Sequence, residues 1–220
     1  MGTPPARTCA VAWYIALLSW LSGCVSYGSH LSASPLPEHT REVSLNADVL
    51  IVDRGLGPQP LPNPELGYRR SINPSLDWGG RINAGSLETN LRWGFAGGVV
   101  RWALVPGLGL GFVPVTNRDT GLFNSHLLLS LLSGVRLGQR SELVLAARGA
   151  LTYAFPLTLL RGEPGEDTLY YLAGGALGFR FPVGEHTFLF PELDVLRAYD
   201  TQSERWLFPT LQGGVALQFD

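Results

Sequence analysis

Lysine is absent from this chain of 220 residues; all 16 basic residues are arginine. That excludes Schiff-base chemistry and any phosphate loop built on a lysine ammonium. Cysteine is scarce, with Cys9 and Cys24 alone, so no disulfide scaffold can be built. Charged residues make up only 15 %, and a net charge of −2 gives no electrostatic reason to expect nucleic acid. The apolar run at residues 9–21 is too short to span a bilayer as a helix. Glycine and apolar residues are what the chain has in quantity. Its 27 glycines lie well above the roughly 7 % of ordinary proteins, and hydrophobic residues reach 45 %.

The N-terminus reads as an address. Arg7 precedes the apolar run, and together they form the basic and hydrophobic regions of a secretory signal. The run ends in Leu21-Ser22-Gly23-Cys24, which resembles the lipobox of bacterial lipoproteins. The resemblance implies a signal peptide over 1–23, cleavage between Gly23 and Cys24, and acylation of the Cys24 sulfur. Three acyl chains make a firm anchor, since two membrane signals already suffice. In that class the residue after the cysteine influences sorting, and Val25 rather than Asp fits the outer membrane. The resemblance also implies contact with lipoprotein-sorting machinery. Acylation uses the last thiol of the mature chain, which leaves no cysteine for catalysis or metal binding. Residues 24–40 show no periodicity and read as a flexible tether, reaching roughly 20–24 Å as a random coil.

From residue 41 to 220 the dominant period is two, the signature of strands. Val43, Leu45, Ala47, Val49 and Ile51 alternate with Glu42, Ser44, Asn46 and Asp48. Val100, Trp102, Leu104, Pro106, Leu108, Leu110 and Phe112 hold one phase throughout. Gly, Pro, Asn and Asp punctuate about ten such segments, near 42–52, 66–72, 75–83, 86–95, 99–112, 126–137, 142–154, 169–181, 186–196 and 206–219. Apart from a tight turn at 84–85, long and short connections alternate. That is the pattern of an all-β, up-and-down antiparallel barrel of about ten strands with short turns at one end. The long connections fall at 53–65, 113–125, 155–168 and 197–205.

Composition biases the choice of outer face. The apolar phase carries one charge, Arg70. The opposite phase carries Glu42, Asp48, Asp77, Glu88, Glu142, Glu192 and Asp194 against Arg69, Arg81, Arg92, Arg101, Arg136, Arg148 and Arg180. In a membrane barrel the apolar phase faces lipid, and the balanced charges fill the lumen as Arg–carboxylate pairs. Such a lumen is plugged rather than open. In a soluble barrel the same alternation inverts, with the apolar phase inside and an apolar ligand as the natural occupant. Aromatics of the apolar phase, among them Tyr68, Trp78, Trp93, Trp102, Phe112, Tyr153, Tyr171, Phe179 and Phe219, suit an interfacial girdle. The last strand, Val215-Ala216-Leu217-Gln218-Phe219-Asp220, resembles the C-terminal strand of outer-membrane barrels, although Phe219 is penultimate. That resemblance implies recognition by the outer-membrane assembly machinery.

Little in the sequence carries catalysis. His30, His39, His126 and His186 lack partners at metal-ligand spacing, so no metal site is expected. Ser130 shares a face with His126 but lies roughly 13 Å along the strand, too far for a nucleophile–base hydrogen bond. The leading expectation is a lipid-anchored outer-membrane barrel with a structural or loop-mediated interaction role. It needs no cofactor beyond the covalent lipid, its partner is membrane lipid and not nucleic acid, and its oligomeric state is open. A tethered periplasmic barrel holding an apolar ligand is the alternative. A hydrolase at the barrel mouth, using His126 near its rim, is the remote one.

Overall fold

The computed structural model describes residues 30–53, 58–83, 85–95, 97–115, 120–158, 167–207 and 209–219. Period-two patterning commits a chain to strands because successive side chains leave opposite faces of the pleat. The strands follow that pattern: β1 Arg41–Asp53, β2 Pro58–Asn73, β3 Leu76–Asn83, β4 Ser86–Phe95, β5 Val100–Val115, β6 Thr120–Arg136, β7 Glu142–Thr158, β8 Thr168–Pro182, β9 Thr187–Asp200, β10 Arg205–Trp206 and β11 Thr210–Phe219. Every pairing is antiparallel. Neighbours in sequence pair from β1 to β9, and β11 bridges β9 and β1. The result is a closed barrel of ten long strands. The two-residue β10 extends the wall at the far end of β9. Closure removes the exposed sheet edges that would otherwise recruit other chains.

The connections at 74–75, 96–99, 137–141 and 183–186 share one end of the barrel, the turn end. Those at 54–57, 84–85, 116–119, 159–167 and 201–209 share the other, the loop end. Both β1 and β11 have their outer ends at the turn end, where Val43 faces Phe219.

Two strands begin earlier than the sequence suggests. The expected loop 53–65 is mostly β2, which runs on to Pro58 while pairing with β1 alone beyond Glu65. Pro60, Pro62 and Pro64 point outward, and proline cannot donate to a ladder. The donors to β1 are therefore the intervening Leu61, Asn63 and Glu65, and the missing N–H groups fall on the side where β3 has already ended. The expected loop 113–125 is likewise shortened, because Thr120–Ser125 pair with Leu110–Val115 and with Tyr153–Thr158.

Residues 30–40 are not the tether expected of them. Residues 30–36 lie inside the barrel, and Pro37–Thr40 form an exposed turn at the turn end. Ala33 is fully buried, and Leu31 and Leu36 are nearly so. Leu31 and Ala33 pack with Ala103, Val105, Leu132, Val144, Phe190 and Ala216 in a small apolar core within the lumen. Glycine makes room for this plug: a Cβ on Gly94 would strike Pro35, and one on Gly134 would meet Ala33. The segment lacks periodicity because it pairs through its backbone and small polar side chains, not through an apolar stripe.

Candidate functional site: a plugged, charged lumen inside an apolar wall

The two faces of the wall separate cleanly. Leu45, Leu66, Ile82, Leu87, Trp93, Leu108, Leu127, Leu129, Leu145, Leu177 and Leu193 are exposed on the outside. Glu42, Asp48, Arg69, Asp77, Arg81, Glu88, Arg92, Glu142, Arg148, Glu192 and Asp194 are buried on the inside. This corrects the soluble alternative, which needs the apolar phase within. An apolar depression of about 840 Å³ is lined mostly by exposed outward side chains such as Leu66, Ile82, Leu87 and Leu110, with Arg81, Glu88 and His126 behind them. It belongs to the outer surface and is not a ligand chamber in the lumen.

Aromatic side chains mark both rims of the apolar band. Trp78, Trp93, Phe95, Trp102, Phe179, Phe181 and Phe219 stand toward the turn end. Phe112, Phe123, Tyr153, Phe155, Tyr171, Tyr199 and Trp206 stand toward the loop end. Along β5, Trp102 and Phe112 are ten residues apart. At ~3.4 Å per residue and a tilt of ~40°, that is ~26 Å of height, matching the ~25 Å apolar band of membrane barrels. Among the described residues no helix is long and apolar enough to cross a membrane. The wall does so by strands. A charge on it is costly, so Leu91→Arg is expected to destabilise the inserted barrel by ~2–4 kcal/mol. Membrane fractions should lose most of the protein, whereas Leu91→Met should leave assembly intact.

The interior charges meet as pairs. Arg92 donates from Nη2 to Asp77 Oδ2 at 2.7 Å and from Nε to the same oxygen at 2.9 Å. Arg69 donates to Asp77 Oδ1 at 2.5 Å. Arg81 donates to Glu88 at 2.5 Å and stands 3.6 Å from Glu65. Arg148 donates to Glu192 at 3.1 Å and also to Asp194. Arg180 reaches Glu42 at 3.4 Å and lies 3.4 Å from the Phe188 ring centroid, a cation–π contact.

The plug is stitched into the same network. The backbone N–H of Leu36 donates to Asp77 at 3.1 Å, and the Ser32 carbonyl accepts from Arg92 at 2.8 Å. Ser32 Oγ donates to Glu142 at 2.5 Å, while Arg101 donates to Ser34 Oγ at 2.9 Å. At the plug's upper end His30 Nε2 lies 2.7 Å from Asp48, and Nδ1 lies 3.0 Å from the Phe190 carbonyl. Both neighbours are acceptors, so an imidazole carrying both protons satisfies both. Gln218 donates to the His30 carbonyl at 2.7 Å, and Gln212 donates to Asp48 at 2.9 Å.

Several expectations need amendment. The lumen charges pair as Arg–carboxylate contacts and are sorted along the barrel. Arg69, Arg92, Arg101 and Arg180 gather toward the turn end with Glu42, Asp77 and Glu142. Asp48, Glu65, Glu88, Glu192 and Asp194 gather nearer the loop end with Arg81 and Arg148. Arg136 does not join the buried network; it stands exposed beside a cavity of about 220 Å³ at the turn end, with Arg101, Arg140 and Arg180. Glu65 was hidden from the sequence reading because prolines disguised its strand as loop. His30 was hidden because its segment has no period. His126 is not at the rim. It is buried, 3.8 Å from Glu88, with its ring over Gly109. The mouth-hydrolase reading loses the placement it needed. Gly23 and Cys24 lie outside the described residues.

An outward apolar band with aromatic rims, short turns at one end and a charged, filled interior define the outer-membrane type of β-barrel. No protein-family model matches the chain, and no curated protein sequence does. Solved structures of similar fold include the outer membrane protease OmpT from Escherichia coli, at 11 % identity and a TM-score of 0.49, covering 87 % of this chain and 99 % of that one. Neisserial surface protein A is similar at 11 % identity and a TM-score of 0.43, over 81 % of this chain and 96 % of that one. The translocator domain of the autotransporter NalP from Neisseria meningitidis is similar at 12 % identity and a TM-score of 0.43, over 98 % and 97 %.

Proposed function

We propose that this chain is a lipid-anchored barrel of the bacterial outer membrane that does not conduct, and that acts as a structural element or through its loops. The observation that carries the reading is the plug. Residues 30–36 occupy the lumen and share carboxylates and guanidinium groups with five strands, so the plug stands across the path through the barrel. Most interior charges named above pair with groups of the wall or the plug, and arginine suits that task because its planar fork cannot lose its proton. The lipobox-like Leu21–Cys24 supports a covalent lipid as a second hold on the membrane. Assembly and sorting machineries of the envelope are the partners this reading implies.

Two measurements test it. Palmitate carrying a click handle should label the full chain and fail to label Cys24→Ala. Purified protein in planar bilayers should show no steady conductance. An unlabelled wild type would remove the lipid anchor from the account, and a stable ohmic pore would remove the closed lumen.

A further inference from the structure

We propose that the turn end of the barrel holds a binding site for a phosphate group, built from Arg101, Arg136, Arg140 and Arg180 around the cavity of about 220 Å³ between plug and wall. Three strands and a turn bring these side chains together. Arg101 comes from β5, Arg136 from the end of β6, Arg140 from the connection 137–141 and Arg180 from β8. So many guanidinium groups repel one another unless carboxylates answer them. Arg92 also lines the cavity, but Asp77 takes its charge at 2.7 Å. Arg180 has Glu42 at 3.4 Å. Glu142, the other carboxylate of the lining, is engaged by the plug, where Ser32 Oγ donates to it at 2.5 Å and Ser34 Oγ at 3.3 Å. Among the described residues Arg101, Arg136 and Arg140 form no ion pair. Setting Glu142 against these three leaves a surplus of two positive charges. Glu38 and Glu185 stand exposed in neighbouring turns and do not line the cavity.

The way the arginines are held points to the same use. Arg101 Nη1 donates to Ser34 Oγ at 2.9 Å, while its buried Nε–H has no hydrogen-bond partner. A guanidinium held by one hydroxyl, with a buried N–H unmet, gains by turning toward an anion. Arg140 donates to the Gly184 carbonyl at 3.2 Å and to the Glu185 carbonyl, and stands 4.6 Å from the Phe188 ring centroid. Arg180 lies over the same ring. Neutral partners of this kind position a guanidinium without cancelling its charge, which lowers the ordering cost when an anion arrives. The chemistry selects phosphate. A phosphate monoester carries a charge of about −1.5 to −2, which matches the surplus. Its three acceptor oxygens serve several planar forks at once, where a carboxylate offers two. The cavity is smaller than the ~300–1,000 Å³ of sites for drug-sized ligands. The group that enters is therefore small, or is the head of a molecule whose remainder stays outside. Short turns of such barrels face the periplasm, where free phosphate and a monoester lipid headgroup can both reach the site.

The test uses the full chain in a non-ionic detergent at neutral pH and low salt. It is titrated calorimetrically with inorganic phosphate, and separately with micelles of the same detergent doped with phosphatidic acid. Micelles doped with diacylglycerol are the phosphate-free control. The comparison protein carries Arg136→Gln and Arg140→Gln together. Phosphate is expected to bind the wild type and to bind the double variant about a hundredfold more weakly, about tenfold per arginine removed. Added salt should weaken wild-type binding. Binding of free phosphate marks a solute site, and binding of phosphatidic acid alone marks a headgroup site; either one, if lost in the double variant, supports the proposal. Binding of neither probe, or equal binding by wild type and double variant, would overturn it. Heat-modifiable mobility checks that the variant is folded. Should Arg140→Gln loosen the turn at 183–186, Arg136→Gln alone must still weaken binding about tenfold, because the Arg136 side chain makes no hydrogen bond among the described residues whose loss could disturb the fold.

Discussion

Asp77→Ala is expected to be among the most damaging single substitutions in the barrel, lowering its unfolding free energy by about 3–5 kcal/mol. Asp77 is fully buried, and its carboxylate accepts from Arg92, from Arg69 and from the backbone of Leu36. It therefore joins β2, β3, β4 and the plug at one point. Burying an ion pair gains little over an apolar replacement of the same shape, but removing one partner leaves the other charge stranded. Here two guanidinium groups would lose their shared anion, and the Leu36 N–H would lose its hydrogen bond to β3. Urea unfolding in detergent, followed by heat-modifiable mobility on gels, measures the effect. A surface comparison, Asp167→Ala, removes an exposed carboxylate beside Tyr153 and should cost no more than ~1 kcal/mol. If Asp77→Ala unfolds within that same small margin, the charge network is not what holds the interior together.

Excision of residues 30–36 is expected to turn a silent barrel into a conducting one. In the intact chain those residues fill the space between opposite walls, from Asp48 and Glu192 on one side to Arg92 and Glu142 on the other. Without them the wall charges remain paired in large part with each other, as in Arg81–Glu88 and Arg148–Glu192, so the strands keep their supports. Water can then solvate groups such as Glu142 and Asp48 that the plug had engaged, which limits the cost of the excision. Bilayer recordings should show stable current steps from the shortened protein and none from the full chain. A shortened protein that still folds, by heat-modifiable mobility, yet stays silent would mean that wall side chains alone close the lumen.

The wall was legible in the sequence because lipid and a charged interior impose the same two-residue alternation on every strand. Glu88 and Arg92 flank Asn90 on one face of β4 while Leu87, Thr89, Leu91 and Trp93 share the other, and the structure keeps that division. Strand limits were less legible where the local residues contradict strand propensity. Pro60, Pro62 and Pro64 read as a loop, yet each sits on an edge where no donor is required. Thr120–Ser125 read as a loop for their Gly and Asn, and long neighbours on both sides hold them in the ladder. The plug was not legible at all. His30, Ser32 and Ser34 owe their positions to partners far away in sequence, and a segment held by backbone groups and hydroxyls leaves no periodic trace. The pairing within the lumen was half legible: the presence of matched acids and arginines could be counted, but their sorting toward the two ends depends on the register of every strand.

The apolar face of this barrel is built to meet lipid, and its charges face inward. The most direct test removes the lipid and asks whether the barrel stays. Cys24→Ala, exported behind a non-lipoprotein signal, is extracted from outer membranes with carbonate and run with and without heating in mild detergent. The protein is expected to remain with the membrane and to shift mobility on heating. Release as a soluble, folded species would contradict it, because a barrel held only by its lipid would have no need of an apolar outer wall.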